Sequence, residues 1–240
     1  MDFEEIDKHI NDILYGKRDL PQFNQPEHAG VCSAGPLLIG ALIVCNITRE
    51  SLSASSNAAS SQGASPSNWQ IDEAQEKAVQ QWAEAKDVWV TDAEEILSQT
   101  YGPMMAQGAE AKVFGRSNDT HVIKARTSIY ATLERALEAI ALHNRLFPES
   151  IMRVFGFTRD SDGLFRILLT QPYIECKRLA QKSEIDAMVA AKGFHDNGDG
   201  NGVNYISDRH HLEDMHPANV FIEPLTDTPI CIDCIVKFRR

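Results

Sequence analysis

Two Asp residues and an Asn, spaced along a short stretch near the end of the chain, constrain this sequence most. The stretch reads LEDMHPANVFI over residues 212–222 and ICID over residues 230–233. Asn219 enters an apolar strand and Asp233 ends the next one, so the pattern predicts that Asp214, Asn219 and Asp233 lie around one point. Two carboxylates and a carboxamide so arranged favour phosphoryl transfer, in which one Asp accepts a hydroxyl proton while Asn and the second Asp hold Mg²⁺ against nucleotide phosphates.

Charge and hydropathy exclude other classes of function. The 240 residues include 23 Lys and Arg against 34 Asp and Glu, a net charge of -11, so nucleic acid is not the expected partner. The longest apolar stretch, Ala34 to Cys45, is shorter than the roughly 20 residues that cross a bilayer, and no membrane contact is expected. An acidic N-terminal segment excludes a secretory signal peptide.

The cysteines indicate a reducing compartment. Their number, 5, is odd and their spacing irregular, which argues against a disulfide framework and predicts a cytoplasmic location. Cys231 and Cys234 have the spacing of metal ligands, but no second pair accompanies them, and packed thiols are the preferred interpretation.

The first hundred residues are predicted to be helical, with one interruption. Residues 1–50 form an N-terminal segment with short helices at 3–16 and 36–48. Residues 51–68, which carry no charge and almost no large apolar side chain, are predicted to be a flexible linker. Residues 69–100 form a helical pair, the second helix starting with a capping box of Thr91 and Glu94.

From residue 101 to residue 240 the pattern predicts an α+β module. Short β-branched and aromatic segments separated by turns alternate with two helices. The predicted order is a hairpin (111–114 and 121–125), a helix (130–146), two strands (153–158 and 164–170), a helix (183–191) and two final strands (219–222 and 230–236).

The segment DMHPAN, residues 214–219, resembles the catalytic loop of protein-kinase-like folds, and its His-Pro is closest to that of aminoglycoside-phosphotransferase-like members. Other pieces follow in matching order. QGAEAKVF (107–114) is similar to the loop over the phosphates, HVIK (121–124) to the third strand with its phosphate-binding Lys, LE (137–138) to the following helix and LLTQPYI (168–174) to the hinge.

Two further stretches, ALHNRLFPES (141–150) and CIDCIV (231–236), match as well. Taken together, residues 101–238 resemble the compact kinase domain of bacterial polyvalent proteins, which belong to mobile elements. The resemblance implies an α+β, two-lobe kinase-like module with a truncated C-lobe, here preceded by an N-terminal helical region.

The resemblance also implies a role for each matching position. Lys124 contacts the phosphates and pairs with Glu138, Asp214 is the base, and Asn219 with Asp233 binds Mg²⁺. Glu134, one helical turn before Glu138, is the second candidate for the ion pair. Protonated His216 would steady the γ-phosphate. The implied nucleotide-binding positions are Gly108, Ala109, Val113 and Lys124, with backbone groups from Gln171 to Tyr173 meeting adenine.

The expected activity is transfer of the ATP γ-phosphoryl group to a hydroxyl of a protein or small molecule, with Mg²⁺. The alternative is a nucleotide-binding module without catalysis, a pseudokinase. It is motivated by a phosphate loop with one glycine, Gly108, and by missing C-terminal helices, since only seven residues follow Asp233. The acceptor and the oligomeric state are not implied.

Overall fold

A computed structural model describes residues 1–15, 17, 35–59, 65–127 and 132–239. The described chain forms two compact units. Unit 1 comprises Met1–Glu138 and Arg153–Thr170, and unit 2 comprises Ala139–Met152 and Gln171–Arg240. The predicted α+β class is confirmed, since both units combine helices with antiparallel strands.

Four helices open unit 1: α1 (Phe3–Leu14), α2 (Pro36–Ala59), α3 (Asn68–Ala85) and α4 (Ala93–Tyr101). Asp2 caps α1 by accepting the backbone N–H groups of Glu4 and Glu5. Helix α2 packs against α1 and α3. A Cβ atom at Gly40 of α2 would lie 2.4 Å from the Trp82 ring of α3, so the close approach of these helices requires glycine at this position.

The predicted linker at residues 51–68 is wrong for residues 51–59, which continue α2. No glycine or proline interrupts this segment. The hydroxyls of Ser51, Ser53, Ser55 and Ser56 each donate to the carbonyl four residues earlier, so the polar side chains are satisfied within the helix. Residues 60–64 of the predicted linker lie outside the described residues.

Helix α2 is longer than the apolar stretch at residues 34–45 that the sequence suggested. By length and composition alone its residues 36–56 could cross a bilayer, and about half of this stretch is buried inside the protein. The buried core helix of a soluble protein has the same length and composition.

A five-stranded antiparallel sheet completes unit 1. Its strands are β1 (Met104–Gln107), β2 (Ala111–Phe114), β3 (His121–Arg126), β4 (Arg153–Arg159) and β5 (Phe165–Pro172), in the order β1-β2-β3-β5-β4. The predicted hairpin and the two later strands of this sheet are therefore confirmed. Helix α4 covers one sheet face, where Leu97 packs against Phe114, Ile123 and Ala125.

The predicted capping box at Thr91 and Glu94 is wrong. Helix α4 begins after Asp92, which has φ 51° and makes no side-chain capping bond. The structure has a capping box one helix earlier, where Gln70 of α3 accepts the backbone N–H of Ser67.

Helix α5 (Leu133–Leu146) begins in unit 1 and continues into unit 2. The expected first turn at residues 130–131 lies outside the described residues. Unit 2 also contains α6 (Lys182–Ala190) and two small sheets of orders β11-β10-β6 and β12-β9-β8-β7. Their strands are β6 (Arg178–Leu179), β7 (His195–Asp196), β8 (Tyr205–Ile206), β9 (His210–Glu213), β10 (Val220–Ile222), β11 (Pro229–Cys231) and β12 (Ile235–Phe238).

The last predicted strand, residues 230–236, is wrong as a single element. It is divided between β11, which pairs with β10, and β12, which pairs with β9 in the other sheet. The chain changes sheets at residues 232–234, so Asp233 lies between two strands instead of ending one.

Candidate active site

Strand register in unit 2 brings Asp214, Asn219 and Asp233 to one place. Asp214 follows β9, whose last residue Glu213 pairs with Ile235 at the start of β12. Asn219 precedes β10, whose first residue Val220 pairs with Cys231 at the end of β11. Asp233 occupies the crossing between β11 and β12, so the three polar residues lie where the two sheets of unit 2 meet.

Hydrogen bonds tie this cluster together. The Asn219 amide nitrogen donates to the Asp214 carboxylate (2.9 Å) and to the Asp214 backbone carbonyl (2.9 Å). The backbone carbonyl of Asn219 accepts from the N–H of Ile232 at 2.9 Å, which fixes the residue before Asp233. The amide oxygen of Asn219 makes no hydrogen bond to a described residue, so this hard oxygen is available to a cation.

Asp214 has an unusual backbone. Its φ of 66° lies in the left-handed region, which costs a non-glycine residue about 1–3 kcal/mol unless the surroundings enforce it. The enforcing contacts are the Asn204 side chain, which accepts from the Asp214 N–H at 3.2 Å, and the Val203 carbonyl, which accepts from the N–H of buried Met215 at 2.9 Å. The half-exposed carboxylate of Asp214 is thereby held in place.

His216 lies against the same carboxylate. Its Nε2 is 3.4 Å from an Asp214 oxygen and 3.2 Å from the Asn219 amide nitrogen. The structure thus joins Asp214, His216 and Asn219, three of the residues that the sequence predicted for the site.

The side chain of Gln171 has a structural role that the sequence did not indicate. Its side chain is buried, and its amide nitrogen donates to the carbonyls of Ser150 (2.8 Å) and Ile232 (2.9 Å). Gln171 therefore steadies the segment that carries Asp233, in addition to the backbone role predicted for it. Tyr173, two residues later, is partly exposed.

In unit 1, Val113 and Lys124 are directly opposite each other on β2 and β3. Opposed residues project to the same sheet face. Their face is the one opposite α4, because the neighbouring pair of Phe114 and Ile123 packs against that helix. Lys124 is buried, with 6% of its surface exposed.

The turn joining β1 and β2 contains Gly108 and Ala109, both exposed. The Gly108 N–H donates to the Ala111 carbonyl at 2.9 Å. A Cβ at Gly108 would meet only that carbonyl, at 4.0 Å, so packing within the protein does not require the glycine. The turn leaves space in which backbone can approach a ligand.

The two glutamates of α5 have different partners. Glu134 accepts from Arg49 of α2 (3.0 Å) and from Gln75 of α3 (3.1 Å), while Glu138 accepts from Arg135 (2.7 Å). Burial raises the pKa of Glu138, and the Arg135 guanidinium opposes that shift. Glu134 therefore holds α5 against the N-terminal helices, and Glu138 stays the residue predicted to pair with Lys124.

Most of the chain matches a known protein family. The family described as serine/threonine/tyrosine kinase found in polyvalent proteins matches residues 72–240. This region is well over half of the chain and contains every site residue named above. The chain belongs to this kinase family. No curated protein matches the chain.

The kinase match begins within α3, upstream of residue 101, where the sequence pattern placed the start of the module. The family region therefore includes most of α3 and all of α4, which covers the sheet that carries Lys124. Membership supports a kinase-like phosphotransferase and confirms the expected α+β kinase-like fold.

Proposed function

We propose that this chain transfers the γ-phosphoryl group of ATP to a hydroxyl group of a protein or small molecule, using Mg²⁺. The observation that carries the proposal is the cluster of Asp214, Asn219 and Asp233 in unit 2. The Asn219 amide bonds to Asp214, and the Asn219 backbone carbonyl bonds to the residue before Asp233. A carboxylate and an amide oxygen are hard donors of the type that Mg²⁺ prefers, so Asn219 and Asp233 fit the metal.

Each group in unit 2 has a distinct task in this mechanism. Asp214 orients the acceptor hydroxyl and takes its proton, and the enforced backbone at this residue holds its carboxylate for that purpose. His216, in contact with that carboxylate, supplies a positive charge to the transferring phosphoryl group when protonated. Bound Mg²⁺ would neutralise phosphate charge as it develops in the transition state.

Unit 1 supplies the nucleotide contacts. Lys124 would bind the α- and β-phosphates as a point charge, oriented by Glu138. The Gly108-Ala109 turn would offer the backbone N–H of Ala109 to a phosphate oxygen. Val113, on the same sheet face as Lys124, would contact the nucleotide through its apolar side chain.

Transfer from γ-labelled ATP to the chain itself, or release of labelled phosphate, tests the proposal. Wild type should show magnesium-dependent transfer, and Asp214→Asn should lose at least about 100-fold of it, the lower range for removal of a general base. Asp208→Asn makes the same change of charge on the exposed residue two positions before β9 and should keep wild-type activity.

ATP binding separates the kinase from the pseudokinase. Asp214→Asn should still bind Mg²⁺·ATP, whereas Lys124→Ala should bind it more weakly. Wild type that binds ATP without any transfer would replace the proposal by the pseudokinase. Equal ATP affinity in wild type and Lys124→Ala would overturn the role of the lysine.

A further inference from the structure

A second cluster of metal-ligand side chains lies within unit 2. His143 of α5, Cys231 at the end of β11 and Cys234 before β12 place their ligand atoms within 4.8 Å of one another. All three side chains are buried. The sequence suggested only two packed thiols, because the His lies 91 residues before Cys234.

We propose that His143, Cys231 and Cys234 bind one Zn²⁺ ion as a structural site. The Nδ1 atom of His143 is 3.3 Å from the Cys234 sulfur. Zinc–sulfur and zinc–nitrogen bonds of about 2.3 and 2.0 Å give a nitrogen–sulfur edge of about 3.5 Å in a tetrahedral site. The two atoms are therefore already spaced as ligands of one metal.

The hydrogen bonds of His143 direct its Nδ1 atom at the sulfur of Cys234. Nε2 is 3.3 Å from the Ser150 carbonyl, which can only accept, and 3.2 Å from the Ser150 hydroxyl, which itself donates to the Cys231 carbonyl. The proton therefore belongs on Nε2 and the lone pair on Nδ1. A ring N–H donated to a backbone carbonyl is the usual outer contact of a zinc-bound histidine.

Charge balance selects a divalent ion. The site is buried, and burying net charge is costly. Two thiolates with a neutral imidazole balance Zn²⁺, whereas a monovalent ion would leave one negative charge. The Met215 sulfur lies 3.8 Å from the Cys231 sulfur and borders the site.

An open groove of about 700 Å³ on the surface of unit 2 lies beside the cluster. Phe147, Met188, Ile230 and Cys231 are among the residues that line it.

The ligands flank Asp233, whose backbone carbonyl accepts from the Cys231 thiol at 3.1 Å. Zinc would replace that contact with two metal bonds, one on each side of Asp233, and fix the segment. This consequence for the magnesium ligand rests on the proposed function. The zinc site itself does not, because it can be measured without nucleotide.

Cobalt is the probe for the test, since tetrahedral cobalt thiolates have visible absorption bands and a near-ultraviolet charge-transfer band. Metal-free, reduced full-length chain is titrated with Co²⁺ in excess Mg²⁺, which saturates oxygen-ligand sites. We expect one equivalent bound with thiolate bands, and their loss when Zn²⁺ is added. A folded wild type without these bands would overturn the proposal.

Variants assign the ligands. Cys234→Ser should remove the charge-transfer intensity of one thiolate and weaken binding, while Cys176→Ser, at an exposed cysteine, should bind as wild type does. Ser150→Ala leaves the three ligands intact but removes the hydroxyl that contacts His143 and bonds to the Cys231 carbonyl. It should weaken Co²⁺ binding by about 10–100-fold. If Cys234→Ser does not fold, the Ser150→Ala result decides; wild-type affinity there would count against the assigned histidine geometry.

Discussion

Gln75 is the most informative position for the packing of the N-terminal helices on the kinase region. Its side chain is fully buried, donates to the Cys45 carbonyl and to the Glu134 carboxylate, and accepts the Glu134 backbone N–H, each at 3.1 Å. It thereby joins α2 and α3 to the first turn of α5. Gln75→Leu retains the size of the side chain but removes all three hydrogen bonds.

Each of these bonds contributes about 1 kcal/mol net, so the free energy of unfolding should fall by about 3 kcal/mol. Urea denaturation followed by tryptophan fluorescence measures the change. Gln99→Leu is the matched control, because the hydrogen bond that Gln99 makes to a described residue is with Glu95 on the exposed surface of α4. It should change stability by no more than about 0.5 kcal/mol. Equal stability of the two variants would refute the account of this anchor.

Three more predictions concern unit 1. A chain lacking residues 1–70 should aggregate or unfold without cooperativity, as judged by size-exclusion chromatography and denaturation, because it loses the buried apolar face of α2. Gly40→Ala should destabilise by about 1–3 kcal/mol in urea, because its methyl group would overlap the Trp82 ring. Burial alone would raise the pKa of Asp160, but its hydrogen bonds and ion pair with Arg166 lower that pKa overall. The ionised carboxylate therefore stabilises the fold above about pH 4, the usual carboxyl pKa, and this stabilisation is lost as the pH falls. Asp160→Asn should accordingly destabilise the fold less when urea titrations are repeated at lower pH.

The parts of the fold that local patterns encode could be predicted. The β2–β3 hairpin and the polar cluster at residues 214–219 depend on neighbours within a few positions, so spacing alone indicates them. Asp233 lies between two strands instead of at the end of one, because the apolar run hides the point where the chain changes sheets.

Long-range contacts could not be predicted. The continuation of α2 through a serine-rich segment depends on helix-internal hydroxyl bonds that composition does not show. Nothing local in the sequence links Gln75 with Glu134, 59 residues apart. Likewise His143 meets Cys234 only through the pairing of distant elements in unit 2.

A crystal structure of the chain with Mg²⁺ and a non-hydrolysable ATP analogue is the most direct test of the central claim. We expect a metal ion bound by the Asn219 amide oxygen and the Asp233 carboxylate, with Asp214 facing the acceptor side and Lys124 on the phosphates. A nucleotide bound with its metal away from Asn219 and Asp233 would contradict it.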